Sequence, residues 1–296
     1  MVNRSTGRGH EPCRQRMLEH MNLNTSWPPP VLSGIGLSKS FGSTRALDGV
    51  DIAVRPGGSL AVMGPSGSGK STLLHCLANI ERPDSGQVLL DGERIDQMRE
   101  PDRSELRRTR FGFLFQFGQL LPELPAVENV ALPLMLGGTS RREAERRARQ
   151  WFAPLGLEGK EDSRPGQLSG GQAQRVALAR ALVGGAQVVF ADEPTGALDQ
   201  ATGQEVIRML TEVTRRQNTA LVVVTHDRSV ARWCDRTAHV RDGRIVRETD
   251  AYGSASGDFA SEVSASEDSA PVSAAPGSSA PAGHAARTGE GIGVVR

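Results

Sequence analysis

Cysteine, lysine and aromatic residues are all scarce in this 296-residue chain. Its three cysteines, Cys13, Cys76 and Cys234, stand far apart, with no C-x-x-C pair and no Cys/His cluster at zinc spacing, which argues against a disulfide framework or a zinc module and fits a reducing compartment. Acids and bases nearly cancel: 35 Lys plus Arg against 34 Asp plus Glu leave a net charge of +1. A strongly polyelectrolyte nucleic-acid binder is thereby excluded, and no nucleic acid is expected as a partner. No run approaches the roughly 18 to 20 apolar residues that cross a bilayer. Even Ala181 to Ala191 is broken by two glycines and Gln187. Residues 1–30 carry Arg4, Arg8, Arg14 and Arg16 without an apolar block, which argues against a secretory signal.

Large apolar residues are also sparse from Ala251 to Arg296, where Ala, Ser, Gly and Pro supply 30 of 46 positions. Such a segment cannot bury enough surface to offset its ordering entropy, so residues 251–296 are expected to be disordered. Residues 1–30, ending in Trp27-Pro28-Pro29-Pro30, are expected to be poorly ordered too. The folded unit is then about 31–250. Within it, Ser59–Met63, 187–191 and 220–225 read as strands covered on both faces, and helical patterns fall at 71–80, 172–183 and 203–217. That alternation predicts an α/β fold with a mostly parallel central sheet. Residues 31–41 and 46–54 read as an antiparallel pair, and Asp242-Gly243 as a hairpin turn.

The segment Gly64-Pro65-Ser66-Gly67-Ser68-Gly69-Lys70-Ser71-Thr72 fits G-x-x-x-x-G-K-[ST] directly between a predicted buried strand and a predicted helix. Glycines let the backbone wind around phosphate oxygens, and the positive end of the next helix faces the same anion. Lys70 supplies a mobile charge for the terminal phosphates of a nucleoside triphosphate, and Ser71 a hydroxyl for Mg²⁺. A flexible turn is a poor alternative, because one of only three lysines (Lys39, Lys70, Lys160) falls where the motif needs it. Downstream, the apolar run Val188 to Ala191 ends in Asp192-Glu193. Asp192 is the candidate metal holder. Glu193, diverging from it, is the candidate general base or polariser of an attacking water.

The stretch Leu168-Ser169-Gly170-Gly171-Gln172, continuing through Ala173-Gln174-Arg175, resembles the signature motif of the ABC-type ATPases, just ahead of the Asp192-Glu193 strand. A serine N-cap followed by two glycines opens a helix and makes a second phosphate receptor, or simply a capping turn. The resemblance covers about residues 31–249. It implies a phosphate-loop NTPase fold of the ABC type, with an antiparallel N-terminal β subdomain and an inserted helical subdomain at about 103–168. It also implies ATP and Mg²⁺ as cofactors, and a head-to-tail pair of copies in which each ATP lies between the phosphate loop of one and the signature of the other. By the same resemblance Phe41 stacks on adenine, although such a residue taken alone is more often core. Gln116, in Phe113-Leu114-Phe115-Gln116, reaches the metal and the attacking water. Asp199, in Ala197-Leu198-Asp199, belongs to a loop that crosses to the other copy, and His226 touches the γ-phosphate. Ala173 and Ala197 depart from the larger polar residues common there.

Residues 117–134, after Gln116, look like the subgroup serving lipoprotein release, macrolide or peptide export, and cell-division or cell-wall regulation. Pro122, Pro125 and Pro133 make either a stiff groove for a partner helix or a packing feature of the helical subdomain. The arginines between Arg141 and Arg149 form a solvated face or a contact for anionic lipid. The resemblance implies an integral membrane permease as a separate partner subunit, with this chain held peripherally on the cytoplasmic face of the cell membrane. A soluble ABC-type ATPase acting on DNA or ribosomes is the alternative. Against it, only about 97 residues separate Ser71 from Ser169, too few for a long coiled coil, and no second phosphate loop appears.

Overall fold

A computed structural model describes residues 28–116 and 118–250, so the expected disorder of the two tails, apart from Pro28 to Pro30, lies outside the described residues. Among the described residues, ten strands form two sheets. β1 (Leu32–Phe41), β2 (Thr44–Val54), β4 (Ser85–Leu90) and β5 (Glu93–Arg94) make an antiparallel sheet in the order β2-β1-β4-β5. β3 (Ser59–Met63), β6 (Phe111–Phe115), β7 (Val188–Asp192), β8 (Ala220–Val224), β9 (Arg236–Arg241) and β10 (Arg244–Asp250) make the central sheet, ordered β10-β9-β3-β8-β7-β6. All its pairs are parallel except the β9/β10 hairpin. The expected α/β class and both sheets are therefore present.

The period-2 alternation of the central strands explains why they lacked polar positions. Leu60, Val62, Phe190, Val222 and Val224 face one layer, which holds α1 (Lys70–Leu77) and the antiparallel sheet. Ala61, Met63, Val189, Ala191, Leu221 and Val223 face the other, with α3 (Ala126–Leu136), α4 (Arg141–Arg149), α5 (Gly170–Leu182) and α6 (Gln200–Arg216). Both faces are covered, so each buried Val or Leu contributes about 1.5–3 kcal/mol. Phe190 anchors one end of this core edge-on to Phe111, with ring centroids 5.2 Å apart.

α2 (Glu100–Arg110) leads into β6, so the segment 103–168, expected to be helical, also contains an edge strand of the central sheet. Its helices are most of α2, then α3 and α4. Within it the buried Asn129 accepts from the Leu121 N–H and donates to the carbonyls of Leu121 and Leu124, which ties down the turn holding Pro122 and Pro125. That turn is therefore fixed through its backbone, while Pro122 itself stays exposed. On α4, Arg141 pairs with Glu128 and Glu145, Arg146 with Glu143 and Arg149 with Asp162, as in a solvated face.

The predicted hairpin turn is present, with Asp242 and Gly243 both at positive φ (49° and 76°). Its tip reaches back across the molecule. The Gly243 N–H donates to the Ser68 carbonyl at 3.1 Å, and the Gly243 carbonyl accepts from the Asp48 N–H at 2.9 Å. The last strands therefore buttress the phosphate loop.

Candidate active site

One rung of the central sheet lines up Val62, Val224, Asp192 and Phe115 across four parallel strands. Thr225, Glu193 and Gln116 each follow that rung by one residue, His226 by two, and the loop from Gly64 starts two residues past Val62. The sheet register alone brings four separated motifs to one edge, at the carboxyl ends of the strands where open parallel sheets hold their ligands.

The 64–72 loop is packed too tightly for side chains at its ends. A Cβ on Gly64 would lie 2.1 Å from the Val240 carbonyl oxygen, and one on Gly69, at φ +102°, 2.2 Å from that of Ala46. Lys70 Nζ donates to the Pro65 carbonyl at 2.7 Å, which lays the ammonium along the loop. The Ser68 hydroxyl is buried and has no hydrogen-bond partner among the described residues. Ser71 and Thr72 occupy the first turn of α1, whose leading N–H groups are free of intrahelical acceptors.

Asp192 ends β7 half-buried, and burial pushes its carboxyl above the usual carboxylate range, opposed by the nearby His75 and Lys70. Glu193 adopts φ +46°, a strained region for a residue with a side chain. Its N–H donates to the Val224 carbonyl at 2.9 Å, its Oε1 lies 2.7 Å from His226 Nδ1, and the Thr225 hydroxyl donates to Oε2 at 3.4 Å. Asp227 fixes the start of α7 (Arg228–Ala231) by accepting from the Ser229 N–H, which sets the backbone that presents His226. Gln116 lies against the turn after Glu193: its Nε2 is 2.9 Å from where a Cβ on Gly196 would stand.

Phe41 is 53% exposed at the end of β1, so it is not a core residue, and Lys39 Nζ sits 5.4 Å from its ring centroid. Ser169 caps α5 reciprocally: its hydroxyl accepts from the Gln172 N–H while Gln172 Oε1 accepts from the Ser169 N–H. Gly170 and Gly171 form the first turn. Gly171 is also a packing requirement, because a Cβ there would come within 2.5 Å of the Thr202 methyl on α6. Asp199 caps α6 by accepting from the Thr202 N–H, and the Thr202 side chain together with that N–H holds its carboxyl below the usual range. Among the described residues, no hydrogen bond or ion pair joins Ser169–Gln172 to the 64–72 loop. The two turns stand apart within one chain.

The family model described as ABC transporter matches residues 47–196, which span the phosphate loop, Gln116, the Ser169 turn and Asp192-Glu193. The chain belongs to the ABC transporter family. Over 220 residues it is 46% identical to the "Lipoprotein-releasing system ATP-binding protein LolD 2" of Caulobacter vibrioides, covering 73% of this chain and 96% of that protein. It is 44% identical over 224 residues to the "Macrolide export ATP-binding/permease protein MacB" of Sodalis glossinidius, covering 74% of this chain but only 34% of that one. Among solved structures, the dimeric bacterial ABC transporter cassette MJ0796 superposes with a TM-score of 0.68 at 36% identity, covering 75% of this chain and 99% of that one. The same cassette is also known as a dimer in a post-hydrolysis state bound to ADP and Pi. As an ABC cassette, the chain is an ATP-binding ATPase.

In this cassette, motif reasoning missed two residues of α5. Gln174 is 2% exposed, and its Nε2 donates to the carbonyls of Phe115 (2.9 Å) and Pro194 (2.8 Å). Arg180 donates to the carbonyls of Gly118 (2.6 Å) and Gln119 (2.8 Å). The available signal was a polar residue in a buried helical stripe: positions 174, 177, 178 and 181 share one face, and only Gln174 is polar.

Proposed function

We propose that this cassette energises a separate integral membrane permease by ATP-driven pairing of two copies on the cytoplasmic face of the membrane. The observation that carries the reading is the separation of the two phosphate receptors. The loop at Gly64–Thr72 shares its sheet edge with Glu193, His226 and Gln116, while the Ser169–Gln172 turn opens a different helix and has no bond to that loop. A second copy supplies the missing half: its Ser169, Gly170, Gly171 and Gln172 close on the triphosphate held by the first, and its Asp199 loop lies across the junction. The γ-phosphate binds both copies together, and its loss releases them.

In each site the 64–72 backbone and Lys70 hold the β and γ phosphates, and Phe41 offers its exposed face to adenine. The Glu193 carboxylate polarises the attacking water, held by His226 at Oε1 and Thr225 at Oε2, and His226 touches the γ-phosphate. Mg²⁺ fits the donor set, which is oxygen throughout: the Ser71 hydroxyl, the Asp192 carboxylate and the Gln116 amide. A desolvated carboxylate with lysine nearby is suited to a cation that arrives with phosphate. When bound, the ion would neutralise phosphate charge.

The permease contact fits a cleft of about 560 Å³ between β6, α2, α3 and α5, beside the Gln116 loop. Phe113, Phe115, Leu132 and Leu136 give it an apolar floor, and Arg108 and Arg180 a cationic rim. A short amphipathic helix with acidic side chains complements it. Leu136, 68% exposed, is the residue to test. Leu136→Asp abolishes co-purification with the membrane subunit while the isolated cassette keeps its ATPase rate. Undiminished co-purification contradicts this docking site. No helix among the described residues is long and apolar enough to cross a membrane.

A further inference from the structure

The loop that carries Gln116 is held on one side by α5. Gln174 spends both amide hydrogens on carbonyls that flank hydrolysis residues: that of Phe115 directly precedes Gln116, and that of Pro194 directly follows Glu193. Two turns further along α5, Arg180 places two guanidinium nitrogens on the carbonyls of Gly118 and Gln119. These are the only side-chain hydrogen bonds to those four carbonyls among the described residues, and Arg180 makes no ion pair there. Gly118 and Gln119 turn the chain sharply, at φ +66° and +48°, so it leaves the strand over the surface of α5. The Gln116 side chain has no such anchor among the described residues and rests on the Gly196 turn.

We infer that Gln174 and Arg180 are positioning residues for hydrolysis, setting where Gln116 stands relative to Glu193 by gripping the backbone on both sides of it. The inference rests on the role of Gln116 given above. Its physical basis is that an amide or guanidinium with two donors in a fixed plane holds two carbonyls at a defined separation, which an apolar side chain of equal size cannot do. The same helix begins at the Ser169 turn, so any movement of that turn is carried to the Gln116 loop and to the backbone after Glu193 through these four bonds.

The test is steady-state hydrolysis of MgATP by the full chain carrying Gln116→Ala, Gln174→Leu, or both. Gln174→Leu is expected to lower kcat roughly 10-fold with KM changed by less than about 2-fold, the pattern of a lost transition-state arrangement. The double variant is expected to be no slower than Gln116→Ala alone, because Gln174 acts through Gln116. Factors that multiply in the double variant, a KM that rises with kcat intact, or an unchanged kcat each overturn the inference while leaving the Gln116 role standing. If Gln116→Ala alone leaves kcat unchanged, both fall. Arg180→Met and Arg180→Lys keep the question answerable if Gln174→Leu fails to fold: lysine restores part of the kcat that methionine loses. A lysine variant no faster than the methionine one contradicts the grip.

Discussion

Glu193 and His226 form a contact that neither strand could make alone: Oε1 lies 2.7 Å from Nδ1, and Glu193 takes φ +46° to present its carboxylate there. Strain of that kind persists only where its surroundings over-determine it. Here the Val224 carbonyl holds the Glu193 N–H, and the Thr225 hydroxyl meets Oε2. Glu193→Gln keeps an acceptor for His226 but cannot take a proton, so kcat falls about 10²- to 10⁴-fold with nucleotide affinity retained. His226→Ala frees the carboxylate and lowers kcat less, about 10-fold or more. Phosphate release and equilibrium nucleotide binding, measured on the same samples, check both.

Asp192 gives a prediction with a pH sign. Its carboxyl pKa is raised by burial, so the native state holds the proton more tightly than the unfolded chain does. The ionised form therefore costs stability above the folded pKa, and the cost disappears as pH falls through it. Asp192→Asn raises the nucleotide-free melting temperature at neutral pH by about 1–2 °C, a modest size because the group is half-exposed. The difference from wild type vanishes in acid. The same variant loses Mg²⁺-dependent hydrolysis. Melting scans across pH, paired with a rate assay, separate the two effects.

Gly171 is required by packing as well as by its place in the signature. Gly171→Ala pushes a methyl into Thr202 on α6 and destabilises the protein by about 1–3 kcal/mol. Thr202→Ser removes the opposing methyl but leaves the backbone N–H that Asp199 accepts, so the double variant recovers most of the loss. Urea titration of the single and double variants measures it.

At the base end, Phe41→Ala raises KM for ATP about 10-fold, because stacking on a nucleobase is worth roughly 1–3 kcal/mol. Phe41→Trp keeps KM near wild type, since only the ring face is used. The solvent exposure of Phe41 makes both variants safe for folding.

Much of this was legible before any coordinates. The strands Ser59–Met63 and 220–225 read as buried runs because both faces are covered, and Asp242-Gly243 read as a turn because its backbone needs two positive φ angles. The phosphate loop, Asp192-Glu193 and the Ser169 turn were legible as spaced motifs. What the sequence hid were contacts whose partner is backbone from elsewhere. Gln174 and Arg180 bond to carbonyls about 60 residues away, and a carbonyl leaves no mark in the sequence. The same holds after Gln116, where Asn129 ties the turn of Pro122 and Pro125 through its backbone and Pro133 lines the cleft. The packing demand on Gly171 was hidden as well, because the Thr202 methyl it accommodates comes from the next helix.

The most direct test is the solution mass of the Glu193→Gln chain by light scattering, with and without saturating ATP. A shift from one chain mass to two on adding ATP, reversed by Lys70→Ala in the same background, is the predicted result. A single chain mass under both conditions, with ATP shown to be bound, contradicts the shared-nucleotide site.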